Sequence, residues 1–123
     1  MNIIGHYAEL TIANGFVFCS GQVGINEVTG HIAAGMESQT RLAIQSIERL
    51  LSSQDLDLSA IVKVTVYIIR KDDFEEMNRA YKDIFGNSLP ARTTVIVSGL
   101  PKDPSEGPEP ILVEIDVVAA IAS

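Results

Sequence analysis

Leu89-Pro90-Ala91-Arg92-Thr93-Thr94-Val95-Ile96-Val97-Ser98-Gly99-Leu100-Pro101 is followed by an acidic, proline-rich connection and then by Val113-Glu114-Ile115-Asp116-Val117-Val118-Ala119-Ala120. Two β-branched runs flanking a connection predict two strands joined by a long loop. Side chains on a strand point to opposite faces in turn. Arg92, Thr94, Ile96 and Ser98 thus alternate with Thr93, Val95 and Val97, and Glu114 and Asp116 with Val113, Ile115 and Val117. If the two strands pair antiparallel with Thr94 opposite Glu114, a register that is assumed, Arg92 and Thr94 share a face with Glu114 and Asp116. A cation, a hydroxyl and one or two carboxylates then stand together on a rigid sheet. The plainer reading is a cross-strand ion pair on a solvated face, which stabilises by only ~0–1 kcal/mol.

Working back from this stretch, Asp72 or Asp73 caps a helix, with Glu75 or Glu76 completing a capping box. Phe74, Met77, Tyr81, Ile84 and Phe85 form its buried stripe, and Gly86 ends it. Before it, Ile61 to Ile69 reads as a strand. Val62, Val64, Val66 and Ile68 take one face; Ile61, Lys63, Thr65, Tyr67 and Ile69 take the other. With both faces this apolar, the strand is central, covered by helices on one side and by a neighbouring subunit on the other. From Met36 to Ser53 the apolar positions Met36, Thr40, Ala43, Ile44, Ile47, Leu50 and Leu51 recur at helical spacing. Nearer the N-terminus, Asn14-Gly15 separates two β-prone runs and predicts a hairpin with a type I′ turn. His31-Ile32 adds a short third strand. The Pro101–Pro110 connection is an exposed loop by composition. The order is β-β-β-α-β-α-β-β, an α+β layer architecture: a mixed sheet with two helices on one face.

At 123 residues the chain reads as one domain, 1–123, able to bury roughly two thirds of its unfolded surface. Apolar residues make up 46%, so part of that content is expected between subunits, yet no run approaches the ~20 apolar residues of a membrane span. Nine basic residues against sixteen acidic, for a net charge of −7, argue against a nucleic-acid partner, which needs lysines and arginines for phosphates. Met1-Asn2-Ile3-Ile4-Gly5 has no charged n-region or long apolar h-region, so no secretion signal is read there. The single Cys19 excludes an intramolecular disulfide and fits a reducing cytoplasm, the expected location. Cys19 among Phe16, Val17 and Phe18 reads as a small core residue. His6, Cys19 and His31 have no metal-ligand spacing, and no metal site is expected. Gly21-Gln22-Val23-Gly24 matches neither a phosphate loop nor a dinucleotide fingerprint, and nothing local marks a nucleophile. His6, beside Tyr7, stands equally well as a site residue or a surface residue.

Pro90-Ala91-Arg92-Thr93-Thr94-Val95, Leu100-Pro101 and Val113-Glu114-Ile115-Asp116 together resemble the C-terminal signature of the Rid (YjgF) family of enamine/imine deaminases. Further pieces match in order: Gly5 with Tyr7; Gly15 to Gln22; Gln39-Thr40 with Ala43; Val62 to Tyr67; and Phe74 to Asn78 with Tyr81. The resemblance implies a chorismate-mutase-like fold of the bacillus type and a homotrimer with ligand sites in the clefts between subunits. It implies that Arg92 holds a substrate carboxylate, for which a guanidinium fork is suited. Glu114 then positions water or relays a proton, Tyr7, Ser20 and Gly21 line the cleft, and Thr94 sits beside Arg92. The implied chemistry converts a small 2-enamino or 2-imino acid such as 2-aminoacrylate to a 2-keto acid and ammonia, with neither metal nor cofactor.

The chain departs from the family pattern at His6 (usually Pro), at Thr94 (Cys in several members) and in a short Phe85–Leu89 segment. The Pro104–Pro110 loop reads as an insertion beside the site. A second reading belongs to another class, a non-catalytic trimer that binds 2-keto acids or similar carboxylates as a regulatory module. A third, a ribonuclease, is disfavoured by the acidic charge and the lack of a base-acid histidine pair.

Overall fold

In the computed structural model residues 5–122 are described; Met1–Ile4, on which the expected absence of a secretion signal falls, and Ser123 lie outside the described residues. The turn chemistry at Asn14-Gly15 acts as expected. Strands β1 (Leu10–Ala13) and β2 (Phe16–Val23) pair antiparallel with Ala13 opposite Phe16. Asn14 and Gly15 take φ of 52° and 81°, the positive values that a type I′ turn requires at both central residues. The short strand expected at His31 is half of a second hairpin: β3 (Ile25–Asn26) pairs with β4 (His31–Ile32), apart from the main sheet.

Helix α1 (Met36–Ser52) buries every position of its predicted stripe, together with Gln39 and Ser46. Gln39 works as a pin. Its Nε2 donates to the Ala33 and Pro110 carbonyls, both at 2.9 Å, and its Oε1 accepts from the Leu112 N–H at 2.8 Å. Helix α2 (Phe74–Phe85) buries Met77, Ala80, Tyr81 and Phe85 and ends at Gly86, φ 57°. It lacks the predicted capping box because its carboxylates are engaged elsewhere. Asp73 Oδ2 accepts from Arg70 Nε at 2.9 Å, and Glu76 Oε2 accepts from the Glu37 N–H of α1 at 3.0 Å.

Strands β5 (Ile61–Ile68), β6 (Ala91–Ile96) and β7 (Val113–Ala120) complete a five-stranded sheet of order β1-β2-β7-β5-β6. Only β5 and β6 run parallel. This corrects the pairing assumed for the two C-terminal strands. Parallel neighbours need a crossover connection, and α2 supplies it, setting β6 on the outer edge of β5. The long connection then carries the chain across to the far side of β5, where β7 inserts beside β2. The alternation on β5 also differs at its start. An irregularity between Ile61 and Lys63 turns Ile61 into the core and leaves Val62 exposed.

Both helices pack on one face. Their stripes join Val17, Cys19, Val64, Val66, Ile68, Val113, Ile115 and Val117 in one core, where fully burying each aliphatic side chain is worth about 1.5–3 kcal/mol. Cys19 is a core residue, and burial pushes its thiol up to about 11. The opposite face is uncovered: Phe16, Phe18 and Val62 are 40%, 43% and 44% exposed there. The β6–β7 connection, expected as a plain exposed loop, is a folded element. Asp103 and Glu106 form a capping box on a 3-10 turn, Pro104–Glu106, and Glu106 is buried. Lys102 Nζ donates to the Gly107 and Glu109 carbonyls at 2.6 and 2.9 Å. No helix among the described residues is long and apolar enough to cross a membrane.

Candidate functional site

The open sheet face is built by alternation on β5 and β7. Tyr67 stands opposite Glu114 and Thr65 opposite Asp116, so these four side chains share the face turned away from the helices. Lys63 joins them, donating from Nζ to Thr93 Oγ1 at 2.6 Å. On β2 the register shifts between Cys19 and Gln22, so that Ser20 and Gly21 together oppose Asp116. Such a bulge re-aims the side chains on either side of it. Val17 and Cys19 point into the core before it, and Gln22 after it.

The bulge sets Gly21 against Glu114. A Cβ at Gly21 would meet the Glu114 carboxylate, so a side chain there would have to push the carboxylate aside. Ser20 ties in the N-terminal segment, its Oγ donating to the Ala8 carbonyl and its N–H to the Glu9 carbonyl, 2.7 and 2.8 Å. Tyr7 is thereby held over the bulge. The result is an open cavity of about 460 Å³ lined by Gly5, Tyr7, Ser20, Gly21, Pro101 and Glu114. His6, between two lining residues, is exposed.

Glu114 is the titratable group of this cavity whose proton affinity is displaced. Burial pushes its carboxyl above the ordinary value, and the like charge of Asp116 adds to the effect. A carboxyl raised in this way can hold a proton nearer neutrality and give or take it during a reaction. Tyr67 is raised as well, chiefly because the Asp116 carboxylate lies within hydrogen-bonding reach of its phenol, with burial second.

Arg92 and Thr94 are elsewhere. On the edge strand β6 they pair with Val64 and Val66 of β5, whose side chains are fully buried under the helices. They therefore face the helices, opposite to Glu114, and β6 is two strands, roughly 10 Å, from β7. The shared face expected for Arg92, Thr94, Glu114 and Asp116 does not exist within one chain. Alternation correctly grouped Arg92 with Thr94 and Glu114 with Asp116; the insertion of β7 on the other side of β5 separated the groups. Arg92 Cζ lies 4.7 Å from the Tyr81 ring centroid and 5.9 Å from that of Phe74. No ion-pair partner accompanies it among the described residues. Together with Asn78, Lys82 and Ser88 it borders a second pocket of about 290 Å³ at the C-terminal end of α2. Thr94 Oγ1 is buried without a hydrogen-bond partner among the described residues.

The sequence reading did not single out Pro101, Tyr67 or Phe74 as site residues. Pro101 belongs to the Leu100-Pro101 piece of the signature, but its place at the cavity depends on the folded connection, and Phe74 and Tyr81 carry the same spacing signal as core.

A family profile described as endoribonuclease L-PSP matches residues 1–121. The chain belongs to this family, known also as Rid (YjgF). A RutC family protein of Pyrococcus horikoshii is 39% identical over 117 residues, covering 94% of this chain and 87% of its own. A regulator of Lactococcus lactis, provisionally named AldR, is 33% identical over 121 residues, 98% and 90% of the two chains. The crystal structure of Escherichia coli TdcF with bound serine aligns with a TM-score of 0.86 and 31% identity, covering 98% of this chain and 90% of that one. TdcF is provisionally named a reactive intermediate deaminase. The Rid chain thus has the chorismate-mutase-like α+β fold that its motifs implied.

Proposed function

We propose that this Rid protein is a cytoplasmic enamine/imine deaminase that converts small 2-enamino or 2-imino acids to 2-keto acids and ammonia. The observation that carries the reading is Glu114: a carboxyl of raised proton affinity at the wall of a cavity, held against Gly21 at a bulge. With 2-aminoacrylate, the protonated Glu114 gives its proton to the terminal carbon, and the enamine becomes an iminium. The carboxylate then takes a proton from water as the water oxygen bonds to the C=N carbon. Return of that proton to nitrogen makes ammonia the leaving group. It departs as the hydroxyl gives its proton to the Glu114 carboxylate and becomes the carbonyl of pyruvate, which restores the protonated acid. Each step moves one proton over hydrogen-bonding distance, the kind of assistance that contributes ~10²–10⁴-fold.

Arg92 is the proposed anchor of the substrate carboxylate, since its fork accepts a planar carboxylate in bidentate fashion. Within one chain it faces away from Glu114. The reading therefore includes association, with the Arg92 edge of one copy closing the Glu114 cavity of the next, in a trimer. The exposed Phe16, Phe18 and Val62 on the open face supply the apolar surface for such packing. Tyr7, Ser20 and Gly21 line the cavity around the reacting atoms, and Thr94 supports the strand beside Arg92. Serine bound to TdcF is a small carboxylate of matching size.

The test is keto-acid release from 2-aminoacrylate generated in situ by a dehydratase. Wild type accelerates it; Glu114→Gln and Arg92→Ala do not. Release no faster than without protein would sink the reading. A second reading is favoured by the regulator among the relatives: a carboxylate-binding module without turnover. Under it, Glu114→Gln leaves 2-keto acid affinity nearly intact and no variant alters release.

A further inference from the structure

Arg92 is the one cation among the described residues that lies over aromatic rings. Arg41, Arg49 and Arg70 each pair with a carboxylate, whereas Arg92 is flanked by aromatic rings. Phe74 and Tyr81 are seven residues apart on α2, two turns on one face, a spacing of ~10.5 Å along the axis. The Arg92 guanidinium carbon lies near both rings, 5.9 Å from one centroid and 4.7 Å from the other. The Tyr81 ring is itself fixed: it is 8% exposed and stacks on Phe85 with centroids 4.2 Å apart and an interplanar angle of 15°.

A guanidinium carries its five N–H donors in its own plane. Attraction to ring faces uses the charge and leaves those donors unspent. A carboxylate partner would consume two of them. Held by rings rather than by an acid, Arg92 is restrained and still open to a ligand.

From this geometry we infer that Phe74 and Tyr81 are positioning residues for the reaction, holding the Arg92 fork in the orientation that receives the substrate carboxylate. The inference rests on the proposed anchoring role of Arg92. A restrained fork loses less freedom on binding than a free side chain on an edge strand, so the benefit falls on affinity. Because the carboxylate is unchanged during the reaction, its contact is equally strong in ground and transition states. Loss of such a contact raises KM and leaves kcat in place.

The experiment measures kcat, KM and pyruvate affinity for wild type, Tyr81→Phe, Tyr81→Leu, Phe74→Leu and Arg92→Ala, each checked for its melting temperature. Tyr81→Phe keeps the ring and removes only the hydroxyl, which lies near the Arg92 guanidinium; it behaves as wild type because the ring face carries the restraint. Tyr81→Leu raises KM about tenfold, with pyruvate affinity falling in step and kcat changed less than about twofold. Phe74 is partly exposed, so Phe74→Leu folds normally, and it raises KM about threefold by the same loss of ring contact. If Arg92→Ala weakens binding and neither leucine variant does, the positioning role is wrong and the anchor stands. If Arg92→Ala itself leaves KM and pyruvate affinity unchanged, the anchor falls and the positioning role with it. A Tyr81→Phe as impaired as Tyr81→Leu would likewise overturn the stacking explanation.

Discussion

The Glu114 cavity and the Arg92 edge are held by different means. Glu114 is positioned by backbone: an interior strand paired on both sides, a bulge opposite, and a glycine that lets the chains approach. Arg92 stands on an edge strand with pairing on one side only, and side chains of α2 restrain its head. Proton transfer needs placement to within a few tenths of an ångström, which a hydrogen-bonded sheet supplies. Carboxylate capture tolerates more movement but needs donors left free, which aromatic rings permit and an acidic partner would not.

The largest effect expected from this division comes from mixing variants. At substrate concentrations well below KM, Glu114→Gln and Arg92→Ala are each inactive alone. If neighbouring copies share a site, co-refolding the two in equal amounts restores about a quarter of wild-type activity, because half of the copies supply each intact group to a cyclic interface. A mixture as inactive as its components would mean that the two groups never share a site. Next in size is Gly21→Ala. Its methyl group displaces the Glu114 carboxylate and lowers kcat about 10²-fold, with pyruvate affinity nearly retained because the Arg92 edge is untouched. Unchanged kcat would show that the carboxylate need not lie against the bulge.

The smallest effect is on pH dependence. Glu114 donates when protonated, so activity falls as pH rises through its raised value. Asp116→Asn removes the repulsion that is the second cause of the elevation. The alkaline limb therefore moves to lower pH, while burial keeps it above the ordinary carboxylate value. Stability follows the same sign. The folded state holds the Glu114 proton more tightly than the unfolded state does. Stability consequently declines as pH rises from the ordinary carboxylate value through the raised one. Glu114→Gln abolishes that part of the decline in urea titrations at several pH values. An alkaline limb that stays in place in Asp116→Asn would detach Asp116 from the site.

Much of this was legible in the chain. The α1 stripe, the Asn14-Gly15 turn and the alternation on β7 all appear where local spacing put them. Tyr7, Ser20, Gly21 and Glu114 meet in one cavity. The misses share a cause. The Ser20-Gly21 bulge, the Ile61–Lys63 irregularity and the separation of β6 from β7 are all matters of which backbone faces which. Period-two alternation says that Arg92 and Thr94 share a face. It says nothing about whether Glu114 shares it, because a strand can pair on either side of its neighbour and each insertion regroups the faces. The Asp73 and Glu76 carboxylates escaped their predicted cap for the same reason, having partners that local spacing does not reveal.

By itself the sequence determined the elements, the order in which they come and the residues that travel together on each face. Those properties depend on side-chain spacing along a single strand or helix, and spacing is local. Tertiary structure alone decided that Arg92 and Glu114, the proposed anchor and proton carrier, occupy opposite faces of one chain. That outcome depends on the α2 crossover holding β6 beside β5 and on the long connection delivering β7 to the far side. Pairings between residues distant in sequence are chosen by the packing of the whole sheet against its helices.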